Sequence, residues 1–164
     1  MELRPPLQVI DNYLPIDKFK ELNNLFFDPR NNFPWHFVNY ISQEKDNSDF
    51  YFYHFLYRDG NITSDFFNNI VPLLINKKVY RAKCNLYTKK DREIHTGYHI
   101  DLPHPHMVLL YNINTNNGFT LFENGDKISS KENQAIIFDG RLRHKSVAQT
   151  DERVRININI DYEF

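Results

Sequence analysis

Three residues of this 164-residue chain are of types that could hold one metal ion together. His99 and Asp101 stand two apart in Tyr-His-Ile-Asp-Leu (98–102), and His144 follows in Arg-Leu-Arg-His-Lys-Ser-Val (141–147). On a strand, side chains two apart point to the same side, so His99 and Asp101 would project together with Cβ atoms roughly 6 to 7 Å apart. Two imidazoles and one carboxylate on one face of a metal leave three positions open, the arrangement that suits a non-haem Fe(II) ion. Such an ion must hold a co-substrate and dioxygen at once. The same ligands with a bound water would instead serve a zinc hydrolase. A His-X-Asp with a distant His arises often by chance in a chain with seven histidines, so its weight rests on its surroundings.

The most informative surrounding is the stretch 153–162, whose alternation is strict. Arg153, Arg155, Asn157, Asn159 and Asp161 fall on one face, and Val154, Ile156, Ile158, Ile160 and Tyr162 on the other. Two readings are open: a half-exposed strand with a solvated polar face, or a strand whose polar face lines a pocket. In the second, an arginine can clamp a carboxylate bidentately, which lysine matches less well. A hydrolase has no need of such a clamp.

The remaining histidines read as structural. His95 lies in a polar loop, His104 and His106 form a stiff Pro-flanked turn with a structural or substrate-side role, and His36 and His54 fall in aromatic runs as partly buried core residues. Cys84 reads as an inert small core residue, and Asn85 as a pocket-lining candidate.

The elements that must position these groups change character near residue 78. Before it, 15–27 carries apolar residues at helical spacing (Ile16, Phe19, Leu22, Phe26) and stops at Asp28-Pro29. A second amphipathic helix starts at Thr63 or Ser64 as N-cap, with Pro72 as a kink or early end. The aromatic-rich runs 33–41 and 50–57 read as strands. Strands are also expected at 79–87, 106–113, 119–122, 134–138 and 153–162, with hairpin turns at 116–118 and 123–126. Closely spaced strands with no helices between them predict an antiparallel sandwich or barrel. A length of 164 residues predicts one domain (1–164), with 1–78 as helical and aromatic support and 79–164 as the core.

Composition narrows the function classes. A formal net charge of −1 gives no excess of cations to neutralise a phosphate backbone or an anionic membrane. A single cysteine cannot form an internal disulfide, and no apolar run suits a signal peptide or membrane span, so the expectation is a cytoplasmic protein. The aromatic share of 15% predicts a core filled by rings between helices and sheet.

From Tyr87 to Phe164 the chain resembles the 2-oxoglutarate- and Fe(II)-dependent dioxygenases, nearest the prolyl-hydroxylase-like branch and its phage-encoded members. The resemblance is carried by 82–87 (Ala-Lys-Cys-Asn-Leu-Tyr), 98–101 (Tyr-His-Ile-Asp), 111–122, 133–139, His144 and 150–160, in the family's order and spacing. Segments 33–35 and 50–57 are similar to the phage-type members.

That resemblance implies a mainly β (α+β) fold: a double-stranded β-helix, or jelly-roll and cupin-like barrel, with N-terminal helices packed on one sheet. It implies that His99, Asp101 and His144 bind Fe(II) and that 2-oxoglutarate and O2 are co-substrates, with ascorbate as accessory reductant. Arg155, or else Arg153, would take the far carboxylate of 2-oxoglutarate, with Tyr87 donating its hydroxyl. The chain departs from the branch at Asn112, where a second tyrosine is common. The activity implied is hydroxylation of a small molecule or peptide, in the host cytoplasm if the gene is a phage's; the alternative is a metal- or ligand-binding jelly-roll module without oxygenase activity.

Overall fold

The alternating C-terminal segment lies at the middle of the larger of two antiparallel sheets in the computed structural model, which describes residues 7–41, 49–74 and 76–164. The elements run β1 (Gln8–Asp11), α1 (Ile16–Phe27), a 3-10 turn (Pro29–Asn31), β2 (His36–Val38), β3 (Tyr51–Arg58), β4 (Asn61–Ile62) and a 3-10 helix (Asp65–Leu73). They continue with β5 (Val79–Thr88), β6 (Met107–Asn112), β7 (Phe119–Phe122), β8 (Lys127–Ser129), β9 (Gln134–Asp139), β10 (His144–Val147) and β11 (Val154–Tyr162). The large sheet has the order β1-β9-β6-β11-β5-β3-β2, with β4 on β3, and the small sheet the order β10-β7-β8. This is the double-stranded β-helix arrangement, with the N-terminal helices packed on one face of the large sheet.

The period of two decides which residues meet which layer. Ile156, Ile158 and Ile160 of β11, Ala82 and Cys84 of β5, and Leu109 and Tyr111 of β6 face outward and join Phe19, Leu22 and Leu25 of α1 and Ile70 and Leu73 of the 3-10 helix in one apolar cluster. Val108, Leu110, Ile136 and Phe138 face the other way and close on Phe122 of the small sheet. Arg155, Asn157, Asn159 and Asp161 share that inner side and are all buried. The polar face of β11 is therefore an interior wall, and the solvated reading of it does not hold.

Several local expectations change. Residues 98–102 are not a strand: His99 alone bridges His144, and Asp101 lies outside any ladder. Pro103 and Pro105, which lack an N–H, follow immediately and stop further pairing. Segment 65–73 winds as a 3-10 helix capped by Ser64 and contains Pro72, instead of an α-helix. Gly118 ends no hairpin, because β6 and β7 belong to different sheets. It is required by close approach: a Cβ there would stand 3.1 Å from both Gln149 N and the Val147 carbonyl oxygen. The turn 123–126 does join β7 to β8, with Gly125 at φ +96. Of 33–41 only His36–Val38 pairs, His36 is exposed instead of core, and Ile16 of α1 is likewise exposed. Arg153 precedes β11 and is exposed. No helix among the described residues is long and apolar enough to cross a membrane.

Candidate active site

His99 and His144 face each other because their backbones exchange both bonds of an antiparallel pair: each N–H donates to the other's carbonyl at 3.0 Å. Residues so paired project to the same side, and the two rings lie 4.7 Å apart between centroids. Each Nδ1 is next to a group that can only accept: the Gly97 carbonyl at 3.2 Å for His99 and the Leu142 carbonyl at 3.1 Å for His144. The ring proton therefore sits on Nδ1, and Nε2 keeps the lone pair a metal needs. The ligand atoms of His99, Asp101 and His144 all lie within 4.8 Å of one another.

Asp101 is held through one oxygen only. Its Oδ1 accepts from Arg81 Nη2 at 2.7 Å and from Asn159 Nδ2 at 3.2 Å. Oδ2 is buried with no hydrogen-bond partner among the described residues and lies 3.4 Å from His144 Nε2. Burial pushes the Asp101 carboxyl up, but contact with His144 and the charges of His144, Arg81 and His99 carry it well below the usual carboxylate range. His144 moves the opposite way: burial lowers it, and Asp101 outweighs that and raises it. His99 is lowered by burial and by the neighbouring His144. An ionised carboxylate with a free oxygen beside two imidazole nitrogens is a donor set that suits a divalent cation.

Arg81 also donates Nε to Asp161 at 2.6 Å. His106, Asp101 and Asp161 are close enough to suggest a second cation site. The guanidinium already between the two carboxylates supplies the positive charge there. Burial, then the charge of Asp101, raises the Asp161 carboxyl to about 7. His106 is fully buried, donates Nδ1–H to the His104 carbonyl at 2.8 Å, and packs so tightly on Gly140 that a Cβ there would fall 2.0 Å from its Nε2. Its role is structural.

A cavity of about 230 Å³ opens on His99 and Asp101, lined also by Tyr51, Arg81, Lys83 and Ser146. A smaller pocket of about 60 Å³ shares Lys83, Tyr87, His99, Asp101 and Ser146 with it, and adds His144, Thr120 and Arg155. Arg155 is 2% exposed. Its guanidinium donates only to neutral acceptors: Ser146 Oγ at 3.0 Å, the Val147 carbonyl at 3.1 Å, and the Phe119 carbonyl and Thr120 Oγ1 at 3.3 Å. Nε has no partner among the described residues. Burial without a carboxylate lowers this group to about 10. The Tyr87 ring lies 5.8 Å from the Arg155 guanidinium and stacks on Tyr51, and its hydroxyl has no hydrogen-bond partner among the described residues.

His99, Asp101, His144, Tyr87 and Arg155 are thus brought to one cavity, and Arg153 is not. Asn85 lines it too, donating to Asn157 Oδ1 at 2.9 Å. Asn112, pairing with Asn157 on the other flank of β11, turns its amide to Gln134 Oε1 at 3.3 Å. Cys84 is buried in the apolar cluster, where burial raises its thiol, and His54 is buried as expected. Asn159 comes from the polar face of β11 that the alternation marks, whereas Arg81 and Lys83 are additions of the structure. The signal for both is present in the sequence: in 79–87 they alternate with Ala82 and Cys84, on the same side as Tyr87.

No family model matches the chain, and no curated protein matches it in sequence. Solved structures do match its fold. An oxidoreductase of the 2OG-Fe(II) oxygenase family from Burkholderia pseudomallei superposes with a TM-score of 0.73 at 12% identity, over 96% of this chain and 84% of the other. The viral collagen prolyl hydroxylase of Paramecium Bursaria Chlorella virus-1, in its 2OG complex, gives 0.61 at 12% identity over 94% of each chain. A prolyl hydroxylase from Trichoplax adhaerens, in complex with a peptide fragment of the hypoxia inducible factor oxygen degradation domain, gives 0.62 at 14% identity over 96% and 83%.

Proposed function

We propose that the chain is an Fe(II)- and 2-oxoglutarate-dependent dioxygenase acting as a hydroxylase of the prolyl-hydroxylase-like type, akin to the phage-encoded members by its sequence motifs. The observation that carries this reading is Arg155: a buried guanidinium with no carboxylate partner among the described residues, in the same pocket as the His99, Asp101 and His144 ligand atoms. A buried unpaired cation is costly unless a ligand supplies the anion. A hydrolase using the same three ligands leaves it unexplained. The matched fold, including that of a structure holding 2OG, supports the same reading.

His99, Asp101 and His144 would hold Fe(II), Asp101 through Oδ2 because Arg81 and Asn159 occupy Oδ1. Arg155, with Thr120 and the Tyr87 hydroxyl, would hold the far carboxylate of 2-oxoglutarate and so orient its other end toward the metal. The bound pair supplies the chemistry when present: oxidative decarboxylation of 2-oxoglutarate to succinate and CO2, coupled to oxygen transfer into a C–H bond, with ascorbate as accessory reductant. The aromatic walls, Tyr51 stacked on Tyr87 at 5.5 Å, shield the pocket from water. A small molecule or a peptide would enter over Tyr51 and Ile100. A cytoplasmic setting suits a chain whose one cysteine is buried and free.

The deciding measurement is succinate formation by purified protein with Fe(II), 2-oxoglutarate and air, together with a 2-oxoglutarate binding isotherm. Wild type should bind and slowly turn over the co-substrate, and His99→Ala should do neither. Absence of both turnover and binding in the wild type overturns the reading.

A further inference from the structure

The cavity holds a cation, Lys83, that neither the co-substrate nor the metal ligands use. Lys83 points inward from β5, between Asn159 of β11 and Phe55 of β3 in register. Its one hydrogen-bond partner among the described residues is the Tyr51 hydroxyl, at 3.5 Å, and its ammonium lies 5.5 Å from the centre of that ring. The nearby carboxylates, Asp101 and Asp161, each accept from Arg81 through one oxygen, and neither bonds Lys83. Lys83 nonetheless lines the cavity over the metal ligands, the pocket of Arg155, and a third cavity walled by Tyr53, Phe55 and Arg58.

The charge count in this space leaves one positive group over. On the oxygenase reading, 2-oxoglutarate places one carboxylate at the metal and the other at Arg155. Lys83 then faces open cavity, half-buried, where burial and then the Arg81 charge lower its ammonium to about 8 against the weaker pull of Asp101 and Asp161. A partly desolvated ammonium with no carboxylate in contact is costly, and a carboxylate arriving with a second ligand relieves that cost.

We propose that Lys83, with the Tyr51 hydroxyl beside it, is the substrate-recognition subsite and takes a carboxylate of the molecule to be hydroxylated. The proposal rests on the oxygenase reading and names its substrate class. The volume of about 230 Å³ lies below the range of drug-sized ligand pockets and favours a small carboxylic acid over the interior of a polypeptide. The carboxyl terminus of a peptide would present the same group, and the test separates the two sources.

The test uses full-length protein loaded with Mn(II) in place of iron and saturated with 2-oxoglutarate, titrated in a calorimeter. The probes are the twenty free L-amino acids, simple monocarboxylic acids, the carboxamide of each, and tripeptides with free or amidated carboxyl termini. Binding should be confined to probes with a free carboxylate, and the best acid should exceed its amide by at least about tenfold, or 1.4 kcal/mol. Lys83→Met should lose at least that factor for the acid while weakening 2-oxoglutarate far less; Lys83→Arg, which keeps the charge, should retain most of the affinity and guards against misfolding of the first variant. Free tripeptides binding as well as free acids would assign the carboxylate to a peptide end. Equal binding of acids and amides, no binding by any probe, or a Lys83→Met loss falling equally on 2-oxoglutarate would overturn the proposal. Failure of 2-oxoglutarate itself to bind would instead overturn the oxygenase reading.

Discussion

Arg155 and Arg153 are the same residue type two positions apart, and burial separates them. Arg155 hangs in the pocket on four neutral acceptors, whereas Arg153 sits in solvent before the strand begins. Arg155→Ala is expected to raise the dissociation constant for 2-oxoglutarate by about 10- to 100-fold, the scale of a lost charge-assisted pair. Arg153→Ala should leave it within about twofold, as suits an exposed charge; the reverse order in calorimetry would move the clamp to Arg153. Arg81 is a positioning residue. By holding Asp101 Oδ1 it leaves Oδ2 as the ligand atom, so Arg81→Met should weaken Mn(II) binding by about 10- to 100-fold, as removal of outer partners of a metal ligand does. Arg81→Lys should recover part of that, and unchanged Mn(II) affinity in Arg81→Met would refute the role.

Among the elements, the 3-10 helix is tied to β3 by one hydroxyl. Ser64 Oγ accepts from Phe66 N at 3.2 Å as the N-cap and bonds His54 Nε2 at 2.7 Å. His54 Nδ1 is buried without a partner among the described residues, so a second ring proton would find no acceptor. Burial, and then the charge of the stacked His36, lower the His54 pKa below 6.5. The sign follows: the unfolded state binds more protons than the folded state below 6.5, so this contribution to stability is complete above 6.5 and is lost as pH falls toward the lowered folded value. Urea unfolding of wild type and His54→Phe, compared from pH 7.5 to 5, should show the difference between them shifting in favour of the variant as pH falls. A difference independent of pH would refute the assignment. Ser64→Ala should cost about 1 to 2 kcal/mol at neutral pH, for cap and imidazole together.

For the whole molecule, Asn133 joins the N-terminal part to the sheets. It sits at φ 53, exchanges two hydrogen bonds with the Leu14 backbone at 2.9 Å, accepts the Tyr111 hydroxyl at 2.7 Å, and receives Tyr13 N–H on its carbonyl at 2.9 Å. Because one apolar cluster spans α1, the 3-10 helix and the large sheet, we propose that 1–78 and 79–164 unfold together. Asn133→Ala should lower stability by about 2 to 4 kcal/mol, since it strands a buried backbone amide, a carbonyl and a phenol at once. Fluorescence of Trp35, in the N-terminal part, and far-ultraviolet dichroism of the sheets should still melt in one coincident transition; two separate transitions would divide the chain near residue 78.

Periodicity determined much of this. The alternation of 153–162 was enough to place Ile156, Ile158 and Ile160 on one face and Arg155 on the other, because a pleated strand sends neighbours to opposite faces whatever surrounds it. The residue types and spacing of His99, Asp101 and His144 likewise marked a candidate site before any fold was known. Local pattern could not say which polar residues would be buried, since the same alternation describes a solvated strand. That was decided when the small sheet closed over the inner face of β11, burying Arg155 while leaving Lys83 and Arg81 half-buried at the cavity. The pairing of His99 with His144 joins residues far apart in the chain through two backbone hydrogen bonds. So does the division of labour between the oxygens of Asp101, one held by Arg81 and one free, which depends on side chains from three separate segments converging in space.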